Sequence, residues 1–405
     1  MGEYRSKLPF VVWPETEKEQ EEALKKSTQL AEFRAYRERL REHPYTPRYH
    51  FFAPDGNLND PNGLCFYNGK YHLFYQQYPP VDPRQHWGHA ISDDMIHWED
   101  LPTAIYPDPE RHVFSGNTIV EENRVVAMYH GTERGSMIAH SKDPMLHHGE
   151  KLTGDTVIPW KEGLPYGVYD PFLRREEDGY YALSGTRKQT PYGTRMTEQQ
   201  FYSKDLINWV WLGELMDENP YLGLGEDGAC PYFIPMKGDR YLLFHFSHLS
   251  GPHILSGIYD KVSHKFRPDR HLKLSCDTPG NGTLNAPCAI SDGNGGAYCI
   301  YNCAEGRRSD PNYPRTGVMT MMYHVTLGEN DEPILSPLPQ YDTLHEALLC
   351  NGSFAAAHGE HLELPARGKA LDIQLTLDLS EASGFELEVF ASERERESAF
   401  CPVSM

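Results

Sequence analysis

Three short segments of this chain carry carboxylates where strands are about to begin. They are Asn59-Asp60-Pro61-Asn62-Gly63, Val168-Tyr169-Asp170-Pro171-Phe172 and Gly225-Glu226-Asp227-Gly228-Ala229-Cys230-Pro231. Pro and Gly set a tight turn, and an aspartate in such a turn often does no more than bond its own backbone. One such turn is uninformative; three of one design are less so. Two carboxyl groups about 5–5.5 Å apart can cleave a glycosidic bond with retention, one as nucleophile and one as proton donor. Their surroundings must keep the first ionised and the second protonated. A third carboxylate can hold sugar hydroxyls and stabilise an oxocarbenium-like transition state. Gln76, Trp87 and the Phe114-Ser115-Gly116 turn supply amide, aromatic and hydroxyl groups suited to a sugar ring, although most aromatic side chains belong to the core.

Acids so far apart in sequence meet only if the fold gathers strand starts around one axis. Segments 63–78, 172–185 and 232–247 each read as strand, tight turn at Asn-Gly, Asp-Gly or Lys-Gly, and aromatic-rich strand. Behind them a motif recurs. Ser92-Asp93-Asp94-Met95-Ile96-His97-Trp98 is echoed by Ser141-Lys142-Asp143-Pro144-Met145 and by Ser203-Lys204-Asp205-Leu206-Ile207-Asn208-Trp209, and more faintly by Tyr259-Asp260-Lys261. A spacing of roughly 50–60 residues fits blades of four strands. The chain is therefore expected to be all-β, a five-bladed β-propeller over 45–340 with blades at 60–108, 113–165, 168–220, 228–275 and 284–338. Residues 1–44 form an N-terminal helical extension, with a solvated amphipathic helix expected over 15–43. Polar/apolar alternation around Leu371, Ile373, Leu375 and Leu377 predicts strands of a partial C-terminal β-sandwich over 341–405.

Composition narrows the partners. Among 405 residues, 58 acidic against 38 basic side chains leave a formal charge of −20, which repels nucleic acid and anionic membranes. No apolar run has transmembrane length, and the first residues lack a signal-peptide apolar core, so the default expectation is cytoplasmic unless a leader has been removed. The eight cysteines form no zinc-like spacing and read as reduced thiols. A small sugar or oligosaccharide substrate is expected, with no metal and no cofactor.

The motifs together resemble glycoside hydrolase family 32, the invertases, levanases, inulinases and fructosyltransferases. Asn59–Gly63 matches the family's first motif; Trp87-Gly88-His89-Ala90 with Ser92, Asp94 and His97-Trp98 matches its second conserved stretch. Phe114-Ser115-Gly116-Asn117 is similar to its Phe-Ser-Gly-Ser turn, Tyr169-Asp170-Pro171 to its Arg-Asp-Pro motif, and Cys230-Pro231 to the end of its Glu-Cys-Pro motif. The resemblance implies that Asp60 is the nucleophile and Asp170 the transition-state stabiliser, with Asn59, Gln76, Trp87, Phe114, Ser115 and Tyr169 around the sugar. It also implies a glutamate directly before Cys230, where this chain has Ala229. Glu226 is expected to take the acid/base role if a loop through Gly228 folds it back, with Asp227 behind it. Tyr169, in place of arginine, lacks the guanidinium fork. The reaction implied is cleavage of β-fructofuranosides by double displacement; the alternatives are action on another furanoside, fructosyl transfer, or sugar binding without turnover.

Overall fold

The computed structural model describes residues 4–43, 46–147, 149–275, 283–304, 317–368, 370–378, 384–389 and 397–402. Two compact units separate at Leu338/Pro339. The first holds five antiparallel sheets in chain order. Blade I runs through Asn57–Tyr67, Lys70–Tyr78, His86–Ser92 and Glu99–Ile105. Blade II runs through Val113–Glu121, Arg124–Gly131, Gly135–Ser141 and Glu150–Lys151, with Ile158–Pro159 added beside the third strand. Blade III comprises Pro171–Glu176, Gly179–Thr190, Gly193–Ser203 and Trp209–Glu214; blade IV comprises Ala229–Pro235, Arg240–Ser247, Gly251–Asp260 and Lys265–Lys273. Blade V comprises Thr283–Ser291, Ala297–Ala304, Tyr323–Leu327 and Pro333–Pro337, with Val318–Met319 paired to its second strand. The first strand of each blade touches the first strand of the next, and blade V closes on blade I. This is a five-bladed β-propeller with the first strands innermost.

The repeated Ser-x-Asp motif makes the turn between third and fourth strands. In blade I, Asp94 Oδ1 accepts from Ser92 Oγ and from the amides of Ile96 and His97, while Met95 adopts φ 65°. In blade III the same bonds run from Ser203, Ile207 and Asn208 to Asp205, with Leu206 at φ 67°. The Trp98 and Trp209 indoles each bond back to the carbonyl of that left-handed residue. The acid satisfies amides that a strand partner would otherwise have to reach.

The inner strands are not regular. Register shifts interrupt the first pair of blade I between Leu58 and Pro61, of blade II between Val113 and Gly116, and of blade IV between Ala229 and Tyr232. A bulge re-aims the side chain it frees, and these three intervals hold Asp60, Ser115 and Cys230. Blade III achieves the same differently. Its inner strand starts only at Pro171, and Asp170 before it is at φ 41°. Cys230, also not glycine, is at φ 51°. Each left-handed residue costs about 1 kcal/mol, which the surrounding packing must offset.

Blades III and IV meet through two glycines. A Cβ on Gly185 would lie 1.7 Å from the Gly228 carbonyl oxygen. Gly185→Ala must therefore push apart the joint that carries Ala229 and Cys230. It is expected to destabilise the fold by about 3 kcal/mol, read as a lower urea midpoint; an unchanged midpoint would show that the two blades are not in this contact.

The N-terminal segment differs from the single solvated helix expected. Two helices, Glu17–Lys25 and Thr28–Leu40, are capped by Thr16 and Ser27. Lys26 caps the end of the first, and Ser27 starts the second, its hydroxyl accepting the Leu30 amide. Leu30, Phe33 and Leu40 are buried, Gln29 bonds Thr103, and the Arg37 guanidinium grips Asp100 at 2.5 and 2.7 Å on the outer strand of blade I. The pair is thus docked, and it belongs to the same compact unit as the propeller. Among the described residues, no helix is long and apolar enough to cross a membrane.

The second unit spans Pro339–Met405. Its described strands are Gly384–Val389 and Glu397–Pro402, paired to each other. The strand expected around 371–377 is not one: residues 371–378 take no strand, and Ile373, Leu375 and Leu377 are 43–46% exposed. Alternation makes a strand only where a sheet faces the apolar side, and residues 371–378 enter no strand pairing. Cys65, Cys230, Cys288 and Cys299 are buried free thiols in the propeller; Cys276 and the side chain of Cys401 lie outside the described residues.

Candidate active site

Asp60 and Asp170 come from different blades and meet at one sulfur. The Cys230 thiol lies 3.6 Å from Asp60 Oδ2 and 3.6 Å from Asp170 Oδ2. One S–H can serve only one carboxylate at a time, so the thiol leaves the other to compete for a proton. Ser115 Oγ donates to Asp60 Oδ2 at 2.5 Å, and Asn62 Nδ2 bonds the Asp60 carbonyl at 3.1 Å. Behind them runs an amide network. Gln76 Nε2 donates to Ser115 Oγ at 2.8 Å, Asn59 Nδ2 to Gln76 Oε1 at 3.0 Å, and Asn302 Nδ2 to Asn59 Oδ1 at 2.9 Å. Gln85 Nε2 adds bonds to Gln76 Oε1 and Tyr78 hydroxyl. Blades I, II and V are thereby tied to the Asp60 carboxylate.

The electrostatics follow from burial and proximity. Desolvation raises the pKa of Asp60 against the pull of Ser115, Cys230 and the His248 imidazole. Desolvation first, and the Asp60 charge second, raise Asp170 to about 6. Two carboxyls held this close titrate as a pair. Each keeps intermediate exposure, enough for a ligand to reach.

Several expected contacts take other roles. Trp87 is fully buried, with its indole nitrogen donating to the Phe114 carbonyl at 2.9 Å. It therefore cannot touch a sugar; it is a core residue that fixes the Phe114-Ser115 turn. Gln76, 2% exposed, likewise holds Asn59 and Ser115 from behind. Phe114 and Tyr169 flank His130, with ring centroids 6.0 and 5.1 Å away. Tyr169 is 43% exposed, and its backbone exchanges two hydrogen bonds with Ser184. His130 was not singled out by sequence; it is buried, and burial lowers its pKa to about 4.

The third acidic segment divides. Glu226 is bound within its own blade: its Oε2 accepts from the Ser247 hydroxyl and, at 2.6 Å, from Ser250 Oγ. Ser250 continues to His253 and then His271, a line of bonds toward the outer strands of blade IV. Asp227 does not offer a free carboxylate to a sugar. Its Oδ1 accepts the His248 amide at 2.8 Å, and its Oδ2 accepts His248 Nδ1 and Arg187 Nη2, each at 2.8 Å. Burial opposes ionisation, but these bonds hold Asp227 down at about 2. His248 is raised, chiefly by the Asp227 hydrogen bond.

Glu198, on the third strand of blade III, is a further acid that the sequence did not flag. It is fully buried, with neither carboxylate oxygen hydrogen-bonded among the described residues, and a Cβ on Gly228 would lie 2.4 Å from its Oε1. Desolvation raises its pKa to about 8. A carboxyl raised on folding gives stability that is complete below its unfolded value near 4.5 and is lost as pH climbs through about 8. Glu198→Gln has no charge to bury, so its Tm relative to the parent should rise by several degrees between pH 5 and pH 8, on the order of a few kcal/mol. Parallel Tm–pH curves would contradict this.

Residues 50–335 match the glycosyl hydrolases family 32 N-terminal domain. The chain belongs to glycoside hydrolase family 32. A levanase from Bacillus subtilis is 39% identical over 218 residues, 48% of this chain and 30% of the levanase. A sucrose-6-phosphate hydrolase from Vibrio alginolyticus is 30% identical over 223 residues, 53% of this chain and 45% of that protein. The aligned stretch thus spans less than half of these relatives. Among solved structures, a Bombyx mori family 32 beta-fructofuranosidase superimposes with TM-score 0.66 at 25% identity, covering 82% of this chain and 73% of that one. A mutant of that enzyme, in complex with sucrose, superimposes with TM-score 0.65. Within family 32, Ala229 is the departure that matters most: it pairs with Phe246 at the start of blade IV, where the resemblance implies a glutamate.

Proposed function

We propose that this family 32 chain is a retaining β-fructofuranosidase acting on sucrose or fructans. The observation that carries the reading is the meeting of Asp60 and Asp170 at the Cys230 thiol, with Ser115 fixing Asp60. Asp60 attacks the anomeric carbon and the glycosidic C–O bond breaks, giving a fructosyl ester; water then attacks the same carbon and releases Asp60. Asp170 accepts hydrogen bonds from ring hydroxyls and stabilises the positive charge that develops on the furanose. Tyr169 and Phe114 provide aromatic surface beside them. The activities of the relatives, a levanase and a sucrose-6-phosphate hydrolase, and the sucrose complex of a structural neighbour support a fructoside substrate. The proton source is one of two groups at the start of blade IV, Glu226 or the His248–Asp227 pair. The test is release of fructose from sucrose, inulin and levan by the purified chain, with the anomer formed first followed by NMR. Initial β-fructofuranose is expected; the α-anomer, or no fructose from any of the three, would overturn the proposal.

A further inference from the structure

Double displacement on an alkoxide leaving group needs a proton, and Ala229 cannot give one. The two candidate donors stand at adjacent residues whose side chains take different partners. Glu226 points along its own blade, to Ser247, Ser250 and through them to His253. Asp227 reaches Arg187 on the second strand of blade III, the blade that Asp170 opens. The register explains the partner: Ala229 faces Phe246, so continuing the antiparallel pairing sets Asp227 opposite His248. Asp227 then fixes His248 twice, through the backbone amide and through Nδ1. With Nδ1 occupied, Nε2 is the nitrogen left to exchange a proton, and the side chain is 65% exposed. Its place beside the site follows from the strand pair: Phe246, two residues before it, faces Ala229, the neighbour of the Cys230 that Asp60 and Asp170 share, and its charge lowers the pKa of both carboxylates.

We infer that His248, held by Asp227, is the proton donor and then the base of this chain, standing in for the glutamate missing at Ala229. The inference rests on the fructosidase reading above. In the first half-reaction Asp60 forms the ester bond, the glycosidic bond breaks, and the Nε2 proton goes to the departing oxygen. In the second, neutral Nε2 takes a proton from water as the water oxygen bonds to the anomeric carbon and the ester cleaves. His248 regains its proton and Asp60 its charge. Asp227 is a positioning residue: it sets the ring and favours the imidazolium. The charged groups acting with His248 are Asp227, Arg187, Asp170 and Asp60, and the Phe246 ring lies 4.9 Å from its own. The carboxylates favour the cationic donor and Arg187 opposes it, with the Asp227 bond the largest influence. The donor form is therefore lost as pH rises through a pKa raised from the ordinary histidine value, which sets the basic limb of the rate profile.

The test compares sucrose with p-nitrophenyl β-D-fructofuranoside, whose leaving group departs without protonation. In His248→Gln, turnover of sucrose is expected to fall at least 100-fold and formation of the fructosyl ester from the aryl fructoside to fall less than 10-fold, with azide restoring aryl turnover and yielding fructosyl azide. The aryl burst also shows that the variant is folded. Asp227→Asn should move the basic limb of the sucrose profile to lower pH. Equal losses on both substrates with no azide product, or the substrate split appearing in Glu226→Gln and not in His248→Gln, would overturn the inference and leave the fructosidase reading standing. A parent chain inert toward both fructosides would overturn that reading, and the inference with it.

Discussion

Asp60→Asn is expected to lower kcat on sucrose by roughly 10⁴-fold or more, the scale seen when a covalent nucleophile is removed. Asparagine keeps the shape and can still accept the Ser115 hydroxyl, so the network through Gln76, Asn59 and Asn302 should survive. It cannot form the ester. Sucrose binding measured by calorimetry should therefore persist within a few-fold while turnover disappears. Loss of binding in parallel with turnover would mean that the network had collapsed, and an active variant would mean that the nucleophile lies elsewhere.

Asp170→Asn should show a different signature. Its carboxylate takes no covalent part, so the expected loss in kcat is about 10²–10³-fold, the range for removal of one preorganised electrostatic contact. A second effect follows from the pair. Like charges raise one another's pKa, and Asp60 contributes to lifting Asp170 to about 6. The Asp60 charge is already present when Asp170 ionises, so Asp170→Asn removes the later ionisation of the pair and leaves the earlier one. If both must be charged in the active form, the acid limb of the kcat/KM profile should move to lower pH in Asp170→Asn, where only Asp60 is left to ionise. An acid limb that stays in place would show that ionisation of Asp170 does not set it.

Much of the fold is legible in the sequence because it is written locally. Asn-Gly, Asp-Gly and Lys-Gly turns fix the hairpins, and the Ser-x-Asp repeat marks the end of the third strand in blades I and III through bonds confined to a few neighbouring residues. Asp60 and Asp170 are legible for the same reason: each stands beside a proline at the start of an inner strand. What depends on register is not. The pairing of Asp227 with His248 spans 21 residues and follows from Ala229 facing Phe246 beside a bulge. The adjacent Glu226 and Asp227 take different partners, Ser247 and Ser250 against His248 and Arg187, which residue type alone does not reveal. Trp87 shows a further limit. Its aromatic ring suits a sugar platform as well as a core, and only its complete burial decides between them. Glu198 is invisible from sequence because nothing local marks an acid in a strand as buried; the glycine that covers it, Gly228, lies on the next blade. The alternation at 371–377 has the converse problem, a strand pattern without a facing sheet.

Double displacement requires a covalent bond between fructose and Asp60. The most direct measurement is rapid acid quench of the chain during turnover of sucrose, followed by proteolysis and peptide mass spectrometry. A fructosyl adduct on the peptide that contains Asp60, absent from Asp60→Asn, is the predicted result. Steady release of fructose with no adduct, or an adduct on another residue, would contradict it.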